Sequence, residues 1–127
     1  MGEASEVELT RGDAQLPATP TPGMDRREAF ATDGMWVGSV RTDAGMVSGW
    51  HHHGDHESTI YLLRGAMRME SGPGGRSIVE AGPGDFLYVP KGAIHREGNP
   101  SDEPGEAIVM RAGAGETIVN VEGPAAG

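Results

Sequence analysis

The chain holds five histidines, and four of them, His51, His52, His53 and His56, crowd one short stretch that runs on into Glu57. The fifth, His95, stands far downstream. Neutral imidazole is the commonest protein ligand for transition metals. In an extended strand successive side chains point to opposite faces, so His51 and His53 share a face that His52 does not. Gly54 then offers a turn toward another imidazole and a carboxylate. Two imidazoles on one face, a turn, then His56 and Glu57 are the parts of a cage for a divalent transition metal. A solvated polar loop is the plainer account of the same residues. A purification tag is a poorer one, since the three consecutive histidines are internal and flanked by Trp50 and Gly54. With no cysteine in the chain, disulfides, thiolate ligands and cysteine nucleophiles are excluded, so a metal here must rest on histidine and carboxylate. The same absence fits a reducing compartment, and a cytoplasmic location is expected.

The elements that must position these residues follow from glycine and proline. The 127 residues include 21 Gly and 9 Pro, spread as Gly-Pro, Pro-Gly and Gly-Gly pairs that would break a helical protein repeatedly. They suit short strands joined by tight turns. Period-two apolar patterning predicts strands over 35–40, 46–52, 58–63, 66–70, 77–80, 86–89, 106–111 and 116–121, an all-β sandwich or barrel. Residues 1–23 are poor in aliphatics and end in a proline-rich run, and read as a flexible N-terminal arm. Residues 24–122 are expected to form one barrel domain, with 24–32 as a turn of helix that has Asp25 near its start. Residues 123–127 read as a loose tail. The formal net charge of −9 argues against nucleic-acid and anionic-membrane partners. No stretch approaches the ~20 apolar residues of a membrane helix, and the acidic N-terminal stretch has neither the charged nor the apolar region of a signal peptide.

Spacing then joins the two histidine regions. Gly45 is followed by five residues, His51, one residue, His53, then Glu57 or Ser58, and later Gly65. Downstream stand Gly84, five residues, Pro90, one residue, Gly92, two residues, His95, three residues and Asn99. This pattern resembles the two motifs of the cupin superfamily. The second motif matches at every defined position and the first at all but one. The resemblance covers about residues 35–121 and implies a double-stranded β-helix, a jelly-roll barrel. It also implies one divalent metal (Fe, Mn, Ni, Cu or Zn) held by His51, His53 and His95. The departure lies at the family's carboxylate position, which falls on Ser58 when counted back from Gly65. Glu57 keeps the spacing from His53, but in a regular strand it faces away from that side chain. His56 shares Ser58's face and is the first choice for a fourth ligand, ahead of no fourth protein ligand and of Glu57.

A metal held by three or four imidazoles and open on one side can polarise a chelated enolate or carbonyl, or bring O₂ to it if redox-active. The expected function is a metal-dependent dioxygenase or cyclase/isomerase acting on a small oxygen-rich organic substrate, with Glu57 as the base. The competing class is a non-enzymatic cupin that binds or senses a metal or small ligand. Trp50, Phe86 and Tyr88 read as core or pocket wall, and Met67 and Met69 as barrel interior. Arg64, Arg68 and Arg96 read as surface charges, and Asp85 and Asn99 as turn residues. Small cupins pair through sheet edges, so a homodimer is expected.

Overall fold

A computed structural model describes residues 6–113 and 118–126. Its described residues form β-strands and two short 3₁₀ turns, Gly12–Ala14 and Pro73–Gly75, with no α-helix. The strands are β1 (Leu16–Pro17), β2 (Met24–Ala31), β3 (Met35–Thr42), β4 (His51–His52), β5 (Glu57–Arg64) and β6 (Met67–Ser71). They continue with β7 (Ser77–Ala81), β8 (Phe86–Val89), β9 (Arg96–Gly98), β10 (Gly105–Ala112) and β11 (Val119–Asn120). No helix among these residues is long and apolar enough to cross a membrane.

One sheet has six strands in the order β1-β2-β3-β10-β5-β8, a second has three in the order β7-β6-β9, and β11 pairs with β4. All pairings are antiparallel. The alternation that betrayed the strands also builds the core. Trp36, Val40, Ile60, Leu62, Val89, Ala107 and Val109 enter it from the large sheet, and Met67, Met69 and Ala81 from the small one. This is the expected all-β jelly-roll barrel, and Met67 and Met69 lie inside it as expected.

Four local expectations are corrected. Residues 24–31 are not helical but form β2, with Met24 and Arg26 buried and Asp25 and Arg27 exposed. A charged residue at an inward position hid the alternation. Phe86 is neither core nor pocket wall: it is 67% exposed on the outer face of β8 and stacks on Tyr61, whereas Tyr88, 61% exposed, lines a crevice beside Leu87 and Pro90. The strand read over 46–52 is broken. Val47 makes a single bridge to Gly98, and beside it the Ser48 hydroxyl accepts the Glu97 N–H and donates to the Gly49 carbonyl, displacing regular ladder bonds. Of the strand read over 116–121, only Val119–Asn120 is extended pairing, and residues 114–117 lie outside the described residues.

Residues 6–23 lie along the large sheet, with Leu16 and Pro17 pairing to Glu28 and Arg27. At Gly65, which turns β5 into β6, φ is +83° and a Cβ would stand 2.9 Å from the Gly105 Cα, so both conformation and space demand glycine. Asn99 closes its turn as expected. Fully buried, it donates to Thr42 Oγ1 and the Glu103 carbonyl and accepts from the Ser101 N–H and hydroxyl.

The register makes adjacent leucines unequal. Leu62 is 1% exposed and Leu63 48%. Leu62→Ala is expected to cost about 2–5 kcal/mol in urea unfolding, and Leu63→Ala about 0.5 kcal/mol or less. Equal losses would contradict the register.

Candidate metal centre

His51 and His95 exchange both backbone hydrogen bonds, each N–H donating to the other's carbonyl at 2.9 Å. Directly opposed residues project to the same side, so the two rings lie together at 4.4 Å between centroids. His53, two residues on from His51, joins them at 5.1 Å from His51 and 5.2 Å from His95. One nitrogen from each ring lies within 4.8 Å of the others, and all three residues are buried. The structure therefore assembles His51, His53 and His95 as the resemblance to the cupin motifs implied.

The outer hydrogen bonds orient the rings. His51 Nδ1 lies 2.9 Å from the Gly49 carbonyl, and His95 Nδ1 lies 2.9 Å from the Ala93 carbonyl. A carbonyl can only accept, so in each ring Nδ1 carries a hydrogen, which leaves Nε2 as the atom that offers a lone pair in the neutral ring. His51 Nε2 is buried with no hydrogen-bond partner. A buried acceptor in that state costs about 1–3 kcal/mol, which a bound cation would relieve. Burial holds the His95 imidazolium well below its ordinary range. The nearby His51 and Arg111 push the same way, against Glu97 and the Ala93 carbonyl. A neutral imidazole is the form that ligates. The residues present fit a divalent transition metal.

Four further polar residues around the cluster were not assigned to the site from sequence in these roles. Glu97, buried on β9, places Oε1 3.7 Å from His51 Nε2 and 3.5 Å from Arg26 Nη2. Arg26 Nη1 also donates to the Thr19 carbonyl at 3.3 Å and to Thr21 Oγ1, tying the proline-rich segment to the barrel. Arg111 Nε donates at 2.9 Å to Ser58 Oγ, so a guanidinium contacts the residue that stands where the cupin pattern has a carboxylate. With His53, His95 and apolar side chains such as Ile60, Val89 and Val109, these residues line a cavity of about 20 Å³. That is room for little more than one water. Period-two counting could have found Glu97 from His95 and Arg111 from Ala107 and Val109. Arg26 was hidden by the helical reading of its strand.

Two residues expected at the metal lie elsewhere. His56 is not part of the three-ring cluster; its ring packs so tightly on Gly113 that a Cβ there would fall 1.8 Å from His56 Cδ2. Glu57 is on the outer face of β5, where Tyr88 donates its O–H to Oε1 at 2.9 Å. That bond raises the Tyr88 phenol above its ordinary pKa, helped by desolvation and by the Glu57 charge. Glu57 is absent from the inner cavity wall and lines an outer groove with Met35 and Met110. His52 faces away from the cluster and accepts the Gly54 N–H. Arg96 points outward, stacked on Trp50 and paired with Glu70, whose carboxyl the Arg96 hydrogen bond holds below its ordinary range.

Comparison with known proteins agrees with this geometry. A curated relative, glucose-6-phosphate isomerase of Thermococcus litoralis, is 30% identical over 78 residues, 59% of this chain and 41% of the isomerase. The chain thus spans less than half the length of that relative. KdgF from Halomonas sp. superposes with a TM-score of 0.74 at 20% identity, over 87% of this chain and 96% of its own. The polyketide cyclase RemF from Streptomyces resistomycificus gives a TM-score of 0.75 at 18% identity, over 91% and 86%. At such identities the structural likeness speaks for the fold alone. Residues 38–111, which carry all three clustered histidines, match the Cupin domain family, and the chain belongs to it.

Proposed function

We propose that the protein is a metal-dependent enzyme of the isomerase or cyclase kind, acting on a small anionic, oxygen-rich substrate. His51, His53 and His95 would hold one divalent transition metal, which when bound supplies Lewis-acid polarisation of a substrate oxygen. The observation that carries the reading is Glu97. Its buried carboxylate stands against His51, in the wall of the cavity that His53 and His95 also line. In an α-hydroxy carbonyl compound a carboxylate there can take a proton at Oε1 from the carbon next to the polarised carbonyl and return it to the former carbonyl carbon, the hydroxyl proton passing to the former carbonyl oxygen, which needs no oxidant. Arg26 holds Oε1 in place from the other side. The guanidinium groups of Arg26 and Arg111 in the same wall favour an anionic head group over a neutral or cationic one. The name of the isomerase that is 30% identical over 78 residues points the same way. Glu57 is not carried forward as the base, since it lies on the outer face of the sheet.

Elemental analysis of protein purified without added metal is expected to find a stoichiometric transition metal, lost in the His51→Ala/His53→Ala double variant. Retention of the metal in that variant would overturn the assignment. Turnover should be assayed on sugar phosphates and 1,3-diketones, with and without O₂. Glu97→Gln is expected to keep its metal and lose roughly 10²–10⁴-fold in rate. Full activity in Glu97→Gln would remove the proton-transfer role, and strict dependence on O₂ would move the enzyme to the dioxygenases.

A further inference from the structure

The cavity lined by His53 and His95 is too small for an organic molecule beyond its head group, so the remainder of any ligand must lie elsewhere. A second space adjoins it. β8 is the last strand of the six-stranded sheet and β7 the last of the three-stranded one. Where these edges part, a crevice of about 60 Å³ runs inward between Val79 and Met69 on one side and Leu87 and Val89 on the other, and meets Ala93 and His95. Val79 is 49% exposed and His95 3%, so the crevice leads from solvent to the imidazole cluster. Val89 and His95 line both spaces. Their chemistry is opposite: the inner cavity has Arg26, Glu97 and Arg111 in its wall, whereas no Asp, Glu, Lys or Arg among the described residues lines the crevice.

From this juxtaposition we infer that the crevice between β7 and β8 is a subsite for an apolar substituent of a ligand whose anionic oxygen head group sits at the imidazole cluster. The inference rests on the metal-centre reading and narrows its substrate class to amphipathic oxyanions with a short aliphatic or flat aromatic tail. Small, fully polar acids would leave the crevice empty. Apolar groups entering such a space gain from leaving water and from contact with its walls. Neither Val79 nor Ser71, which also lines the crevice, touches the three rings or Glu97 in a described hydrogen bond or ion pair, so the subsite can be altered separately from the head-group site.

The test is a titration of the zinc-loaded protein with formate, acetate, butyrate and hexanoate, followed by calorimetry and by methyl NMR. Affinity is expected to rise about fourfold per added methylene until the crevice is full. Hexanoate should shift the methyl signals of Met69, Val79, Leu87 and Val89. Val79→Glu, which places a charge in the crevice, and Ser71→Phe, which fills it, should each abolish the rise while leaving formate affinity unchanged. Equal affinity along the series, or shifts confined to outer-face methyls such as Met35 and Met110, would overturn the subsite. Butanol and hexanol are titrated into the metal-free protein as a second arm, since their tails need no metal. Crevice shifts there without any zinc binding would sink the metal centre and leave the crevice. Zinc binding without crevice shifts in either arm would do the reverse.

Discussion

The backbone pair between His51 and His95 is the interaction on which the site depends. Two hydrogen bonds at 2.9 Å tie together the two sequence regions that carry imidazoles, and direct opposition sets both rings on the same inner side. A shift of one residue in that pairing would turn one ring out of the barrel, because side-chain direction alternates at every step. The neighbouring irregularity at Ser48 protects the pairing. Its hydroxyl accepts the Glu97 N–H, so that backbone donor stays satisfied where the ladder breaks. Position and orientation of the rings are therefore set by main-chain bonds: the bridge for the two backbones, and the Gly49 and Ala93 carbonyls for two of the three imidazoles.

Around that pair the barrel buries an unusual amount of polarity for its size. Arg26, Glu97, Ser58 and Arg111 all sit within the same wall as His53 and His95. Buried ions are tolerated only when they are paired and hydrogen-bonded, and each of these has such contacts: Arg26 with Glu97 and Thr19, Arg111 with Ser58. Such a network adds little net stability over an apolar core and fixes the positions of its members. That is what a reactive site needs. The substitution of Ser58 for the family's carboxylate has a counterpart here. The carboxylate nearest His51 comes instead from β9, as Glu97, and a guanidinium takes the place beside position 58.

The outer surface follows different rules. Glu57 with Tyr88, and Arg96 with Trp50 and Glu70, are outer-face or rim contacts that organise the barrel's exterior without reaching the cavity. Expecting Glu57 at the centre followed from its nearness to His53 in sequence. In a strand, nearness matters less than parity, and parity puts Ser58 inside and Glu57 outside.

The amino-acid sequence determined the class of fold through local periodicity and turn glycines, and its resemblance to the cupin motifs picked out the three histidines that cluster, His51, His53 and His95. Strands β5, β6, β7, β8 and β10 were legible within a residue or two, since each is a short run of strand-forming residues bounded by turn signals. Only the tertiary structure decided that residues 24–31 are a strand, because Arg26 occupies an inward position that a partner across the barrel, Glu97, makes tolerable. It also decided which carboxylate stands at the cluster, that His56 packs on Gly113 instead, and that Phe86 faces out. These are questions of which strand lies beside which and how two sheets close over one another. Residues far apart in the chain settle them through contacts that no local pattern records.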